Sequence, residues 1–200
     1  MGNREALLAG AKRCLLEKGY ARATVRDITA ASGGVSMAAI GYHFGSREAL
    51  LTEALIQALD EWGAEIQRAL AAAAEPAATA SEQFEAVWTR IIESFTTHRP
   101  LWVASLEAAL QAERSPELRR QLAAGQHEGR RGTVTWLQAL DEDAVTDASV
   151  RTVGSVHMAL ISGVMMQWLI DPQHSPSGHD VVQGLRAIAA AVEPAIDQDA

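Results

Sequence analysis

The segment from Gly19 to Ser46, GYARATVRDITAASGGVSMAAIGYHFGS, sets the tightest limit on what this chain can fold into. Glycine interrupts it at Gly19, at Gly33-Gly34 and at Gly45, leaving room only for helices of about two turns. Helices that short are not stable alone in water, so the pieces must pack across longer neighbours. Start signals sit where such pieces would begin. Thr24-Val25-Arg26-Asp27 has the capping-box form, Ser36 is a good N-cap, and Ser46 follows Gly45 to cap the next helix.

The flanking sequence supplies those neighbours. Leu7, Leu8, Ala11, Cys14 and Leu15 recur at helical spacing from about Asn3 to Lys18, with Gly19 as a C-cap. Short helices are expected from Thr24 to Ser32 and from Ser36 to about Tyr42, then a long one from Arg47 into the Ala-rich stretch before Pro76. Further on, Ser81 to Thr97 and Leu101 to Gln111 read as helices. Ser115-Pro116-Glu117 opens a seventh that could reach Leu140. Its glycines Gly125, Gly129 and Gly132 each cost roughly 1 kcal/mol relative to Ala. The last two helices are expected over Ala148–Ile170 and Asp180–Val192. The reading is all-α with about nine helices and no strand. Residues 1–50 form a three-helix head, a connecting helix runs to about 74, and residues 75–200 form a second domain.

Charge separates the two parts. Residues 1–50 carry seven Lys/Arg against four acids, a net of +3, while the remainder carries −11 of the chain's total of −8. A basic head on an acidic body fits a small polyanion-binding module joined to a domain with another task. The single cysteine, Cys14, excludes an internal disulfide and fits a reducing cytoplasm; it reads as a buried small hydrophobe. The start MGNREALLAGAKR lacks a long apolar h-region. No stretch is expected to reach the roughly 18 uncharged apolar residues of a membrane span.

A capped helix, a Gly-containing turn and a second short helix make a helix-turn-helix, whose second helix lies in the DNA major groove. Val35, Ile40 and Phe44 would pack inward on Leu7, Leu15, Ile28 and Leu50. Ser36, Met37, Ala39, Tyr42 and His43 would face outward. Thr24, Tyr42 and Arg47 are candidates for a phosphate clamp, with Arg26 beside them. Met37 and Ala39 carry no charge, yet apolar contact with thymine methyls is a recognised readout; solvent-facing helix formers are the alternative. His43 could meet DNA or cap the turn.

These residues resemble the tetracycline-repressor (TetR) family of bacterial transcription regulators. The likeness rests on Gly19-Tyr20, on Thr24-Val25-Arg26-Asp27-Ile28, on Gly34-Val35-Ser36, on His43-Phe44, and on Ser46-Arg47-Glu48 with Leu50. It covers about residues 4–55, and GVMMQWLIDP at 163–172 is a looser likeness. Three positions depart from the pattern. The turn at Gly33-Gly34 is one residue longer, Gly41 stands where many members have Tyr, and Arg47 replaces Lys. The resemblance implies a homodimer whose head binds DNA, and a body that often takes a small molecule and dimerises through its last two helices.

Val156, Leu160 and Val164 on the eighth helix, with Val181, Leu185, Ile188 and Val192 on the ninth, read as a dimer seam; two helices that simply complete the monomer core are the alternative. Trp88, Phe95, Trp102, Trp136, Met158, Met165 and Trp168 could line a pocket for a hydrophobic or aromatic effector; ordinary core packing is the alternative. Gln167, His157 or Arg151 would supply polar contacts. Enzyme readings fail: His127-Glu128 lacks the spacing of a zinc helix, no nucleophile elbow or phosphate loop is present, and no cofactor or metal is expected. His174 and His179, near Asp171 and Asp180, read as solvated loop residues. Together these features imply a dimeric regulator, a ligand-responsive repressor on a palindromic DNA operator, its binding steeply weakened by salt. A helical ligand-binding or scaffolding module whose head docks a protein is the rival.

Overall fold

The computed structural model describes residues 2–72, 79–138 and 142–192. Among these, nine α-helices and no strand are present. The head comprises α1 (Asn3–Lys18), α2 (Val25–Ala31) and α3 (Met37–Phe44). Then come α4 (Arg47–Ala72), α5 (Ala80–Thr97), α6 (Arg99–Ala112) and α7 (Pro116–Gln138). A short 3-10 turn at Glu142–Ala144 leads to α8 (Asp147–Ile170) and α9 (Gly178–Val192).

Most starts follow from local chemistry. Thr24 caps α2 with the reciprocal bonds of a capping box to Asp27. The start of α5 falls two residues before the expected cap, because Thr79 with Glu82 makes the box in place of Ser81. In α9, Ser177 and Asp180 bond reciprocally, moving the start back from Asp180. The glycines of α7 are partly explained by packing. A Cβ on Gly125 would sit 3.3 Å from Ile56, and Gly129 lies under Met158. Nothing nearby explains Gly132.

The expectation that no stretch is apolar enough to span a membrane does not hold. Over 24 residues, α8 has the length and a hydropathy of 1.5 to do so. Here its inner side is buried in the body, at His157, Ile161, Val164 and Met165. It is one continuous helix with a π turn at Val150–Gly154. Gly154 ends that turn where α8 crosses α7 closely; an added Cβ would lie 2.7 Å from the Arg130 carbonyl oxygen.

Two large apolar cores are present, and the first reaches from the head into the later helices. The first gathers Leu7, Leu15, Ile28, Ile40 and Leu50 of the head with Leu101, Ala104, Ala108 and Leu118 of α6 and α7. Val35 and Phe44 pack against it as expected. The second holds Trp88, Ile91, Phe95, Trp102, Ile161, Val164, Met165 and Val181. Helix α6 contributes to both, Leu101 to one and its neighbour Trp102 to the other.

The turn between α1 and α2 is held from two sides. From α4, the Arg47 guanidinium donates through Nε to the Ala23 carbonyl at 2.5 Å and through Nη2 to those of Tyr20 and Ala21 at 2.8 and 3.1 Å. From α6, the Glu107 carboxylate accepts the Ala21 amide at 3.0 Å. Gly19 makes this approach possible, because a Cβ there would lie 2.7 Å from Glu107 Oε2. Below the turn, the Tyr20 hydroxyl reaches Thr52 Oγ1 at 2.9 Å, and the ring is 1% exposed.

Two outcomes follow. Arg47→Ala strands carbonyls that a charged donor satisfied, and is expected to lower the stability of the DNA-free protein by roughly 2 kcal/mol in urea titration; a role confined to phosphate contact would leave it unchanged. Burial pushes the His157 imidazole down to about 4, against about 6.5 in an unfolded chain. Between those values the unfolded state binds a proton that the folded state refuses. Stability is therefore fully present above about pH 6.5 and is lost as pH falls toward 4, by on the order of 3 kcal/mol. Scanning calorimetry from pH 7 to 4.5 should show a falling Tm, and His157→Phe should flatten that fall.

Candidate nucleic-acid interface

Helix α3 rests on the first core through Ile40, 3% exposed. The helical period then fixes what faces outward. Met37 is 59% exposed and Tyr42 is 86% exposed, and Ser36, Ala38 and Gly41 are exposed beside them. Ser36 makes no side-chain capping bond, so its hydroxyl is available to a ligand. Ala39, expected to face outward, instead packs partly against the head core, because it lies one position from Ile40. Ala38 takes its place on the surface. His43 is half-buried, edge-on to Tyr42 at 4.9 Å and to Phe44 at 6.3 Å between ring centroids.

The expected phosphate clamp is rearranged. Arg47 is turned inward onto the α1–α2 turn, with Nη1 on Glu48, so it braces the head and does not project from it. The Thr24 hydroxyl donates to Asp27 Oδ2 at 2.6 Å and accepts the Asp27 amide. Lys18 pairs with the same carboxylate at 2.5 Å. Lys18 and then Thr24 hold Asp27 well below the usual carboxylate range. Arg4 is paired to Glu53, with its guanidinium over the Phe44 ring, and Lys12 is paired to Glu61. Arg26 remains exposed on α2 with no partner among the described residues. The outward face of α3 is thus apolar at its centre, with Tyr42 and Ser36 as its polar groups.

Gly41 sits on that face with nothing within 4 Å of where a Cβ would be. Glycine inside a helix costs roughly 1 kcal/mol relative to Ala, and no intramolecular contact here requires it. What it provides is a backbone that another molecule can approach closely. Sequence reasoning missed Glu107, which lies 86 residues from the amide it holds. No local signal marks it.

In the body, Trp88, Phe95, Trp102 and Met165 are buried together, with Trp168 packed against them. Trp102 stands edge-on to Trp62 at 4.7 Å and to Phe95 at 5.5 Å, and Phe95 lies 6.1 Å from Trp168. These rings fill one another's space. Met158 belongs elsewhere, against Gly129 and Thr133 of α7, and the side chain of Trp136 lies outside the described residues. Of the three polar candidates, Gln167 and Arg151 are exposed while His157 is 8% exposed. Clefts of about 240 and 230 Å³ flank the head–body junction. One is lined by Tyr20, Arg47, Gln111 and Arg114, the other by Leu16, Trp62 and His98, and neither by the expected pocket residues. In the loop, His174 pairs with Asp171; His179 lies not in the loop but in the first turn of α9, where it reaches Glu85 of α5.

The expected dimer seam splits. Val164 and Val181 are buried in the second core, and Leu160 and Leu185 pack against it. The reason is that α9 lies against α5, where Gly178 meets the Thr89 backbone and hydroxyl too closely for any Cβ. Val156, Ile188 and Val192 do lie outside, 57%, 60% and 78% exposed. On α8, Val156 belongs to a different stripe: Thr152, Val156, Ala159, Gly163, Met166 and Ile170, all exposed and spaced four and three residues apart.

Comparison with known proteins agrees with this geometry. Residues 7–54 match the family described as bacterial regulatory proteins, tetR family. Residues 79–197 match the family described as tetracyclin repressor-like, C-terminal domain. The HTH-type transcriptional repressor AcnR of Corynebacterium efficiens is 46% identical over 50 residues, 25% of this chain and 26% of that protein. The matched segment thus spans about a quarter of that relative's length. Among solved structures, a transcriptional regulator from Rhodococcus sp. Rha1 is similar in fold, with TM-score 0.62 and 20% identity over 96% of this chain and 99% of that one. The multidrug binding protein EbrR complexed with proflavin gives 0.63 and 22% over 94% and 99%. The match to the tetracyclin repressor-like C-terminal domain covers more than half of the chain, and the head matches in its own right. The chain belongs to the tetracycline-repressor (TetR) family of DNA-binding transcriptional regulators.

Proposed function

We propose that this member is a cytoplasmic, ligand-responsive repressor that acts as a homodimer on a palindromic operator, by binding and without catalysis. The observation that carries the reading is the outward face of α3. Met37, Ala38, Gly41 and Tyr42 form a slim, uncharged surface on a helix packed on the head core, and Arg26 is exposed on the preceding helix. Apolar groups at the centre suit thymine methyls, while Ser36, Tyr42 and Arg26 suit phosphate. Much of the head's positive charge is internally paired, which makes salt dependence shallower than the seven cations alone would imply.

The uncovered stripe on α8 supports the dimer. Exposed apolar side chains on α8, with Ile188 and Val192 exposed on α9, are of the kind that mark a partner surface. Ala159 and Gly163 let a second helix approach closely, and a two-fold pairing would set two α3 helices about one DNA turn, ~34 Å, apart. We divide the chain into a DNA-binding head over residues 1–50, a connecting helix to about 74, and an effector and dimerisation domain over 75–200. That the multidrug binding protein EbrR, similar in fold, is found complexed with proflavin supports a small-molecule effector here. Helix α6 then offers the coupling, since Trp102 lies in the body core and Glu107 on the head's turn.

Selection from a random DNA pool should return a palindrome. On that sequence, Tyr42→Phe is expected to weaken binding about tenfold. Gly41→Ala should raise the Tm of the free protein and yet weaken DNA binding by a similar factor. DNA affinity unchanged in both variants would rule out α3 as the reading helix. Val156→Glu combined with Ile188→Glu should yield folded monomers in analytical ultracentrifugation, and an intact dimer would place the interface elsewhere.

A further inference from the structure

Three nitrogen atoms in the body's interior are buried without a hydrogen-bond partner: Nε1 of Trp88, Nε1 of Trp102 and Nε2 of His157. Their side chains are 0%, 5% and 8% exposed. Native interiors seldom leave such groups unpaired, because each forfeits its bonds to water and gains nothing in return. Trp62 shows the contrast in the same region, its Nε1 donating to Ser94 Oγ at 2.9 Å. His157 lies edge-on to Phe84, with ring centroids 5.5 Å apart, and 6.0 Å from Trp88 at a tilt of 32°. The His157 ring therefore lies between Phe84 and Trp88 where α8 bears on α5, and two of the three rings carry an unpaired nitrogen. The π turn Val150–Gly154 just before His157 adds weight, since such turns recur at functional sites.

We infer that the interior between α5 and α8, around Phe84, Trp88 and His157, is the effector site, and that its ligand is a planar aromatic molecule bearing a hydroxyl. The inference rests on the reading of the body as an effector domain and narrows it. An indole N–H can only donate, so the ligand must accept there. An imidazole nitrogen either accepts or donates with its tautomer. A hydroxyl does both, and so suits either nitrogen. The buried polar side chains of the described residues are Ser32, Thr52, Ser94, Thr133 and His157, with no carboxylate among them. A cationic ligand would be buried without a counter-charge and is disfavoured. Entry must part α5 from α8, and the neighbouring Phe95–Trp102 contact at 5.5 Å passes that displacement to α6.

The test titrates the full chain by calorimetry with 2-naphthol, naphthalene and 2-naphthylmethylammonium. We expect 2-naphthol to bind at least tenfold tighter than naphthalene, and the ammonium compound most weakly. His157→Phe and Trp88→Phe, each checked for helicity by circular dichroism, should lose most of that preference while still binding naphthalene. The ¹⁵N shifts of the His157 ring in the unaltered protein should move with 2-naphthol, which frees the result from any folding defect in the variants. No binding by any probe, equal affinity for all three, preference retained in both variants, or an unmoved His157 ring would each overturn the assignment and leave buried water as the partner of these nitrogens. DNA binding is followed in parallel on the selected palindrome. Intact DNA binding with no probe response sinks only the effector site, whereas absent DNA binding sinks the regulator reading whatever the probes do.

Discussion

The orientation of the DNA-facing surface depends on how one peptide turn is held. Gly19 to Ala23 presents carbonyls on one side and an amide on the other, and the chain places a guanidinium against the first and a carboxylate against the second. Charged groups make the stronger hydrogen bonds, and a guanidinium fixes direction as well as distance. Helices α2 and α3 hang from this turn. Their short lengths cannot set their own angle, so the angle is inherited from α4 and α6.

That inheritance joins the two halves mechanically. Leu101 and Trp102 are neighbours in sequence, yet one packs under the head and the other among the aromatic rings of the body. A rigid helix with a foot in each core has few ways to respond to a disturbance at one end except by moving at the other. Close-packed interiors transmit such shifts because they compress little.

Much of this was legible in the sequence, and the failures have physical causes. The Thr24–Asp27 box and the glycine punctuation located α2 and α3 because caps and turns are local chemistry. The inward set Val35, Ile40 and Phe44 followed from helical period, and the same period misplaced Ala39 by a fraction of a turn. Arg47 was legible as a cation beside the head, but its direction was not, because the carbonyls that hold it lie 24 to 27 residues back. On α8, hydrophobic spacing cannot tell the face that meets α5 from the face left open when both are apolar. Gly178, by letting α9 settle against α5, decided that question. For Trp88, Phe95 and Trp102, composition foretold a cluster and could not foretell how its ring nitrogens would be paired.

The sharing of the first core has a bearing on how such regulators can be recombined. Cutting the chain after the connecting helix looks natural from the sequence, since one family match ends at 54 and the other begins at 79. The underside of α1 nonetheless rests on Leu101, Ala104 and Ala108. A head transplanted onto a foreign sensor at that boundary would carry an apolar floor with nothing matched to it, and its turn would lose the carboxylate of Glu107. The unit of exchange is the head together with α6 and the start of α7, a discontinuous module that no single crossover can move.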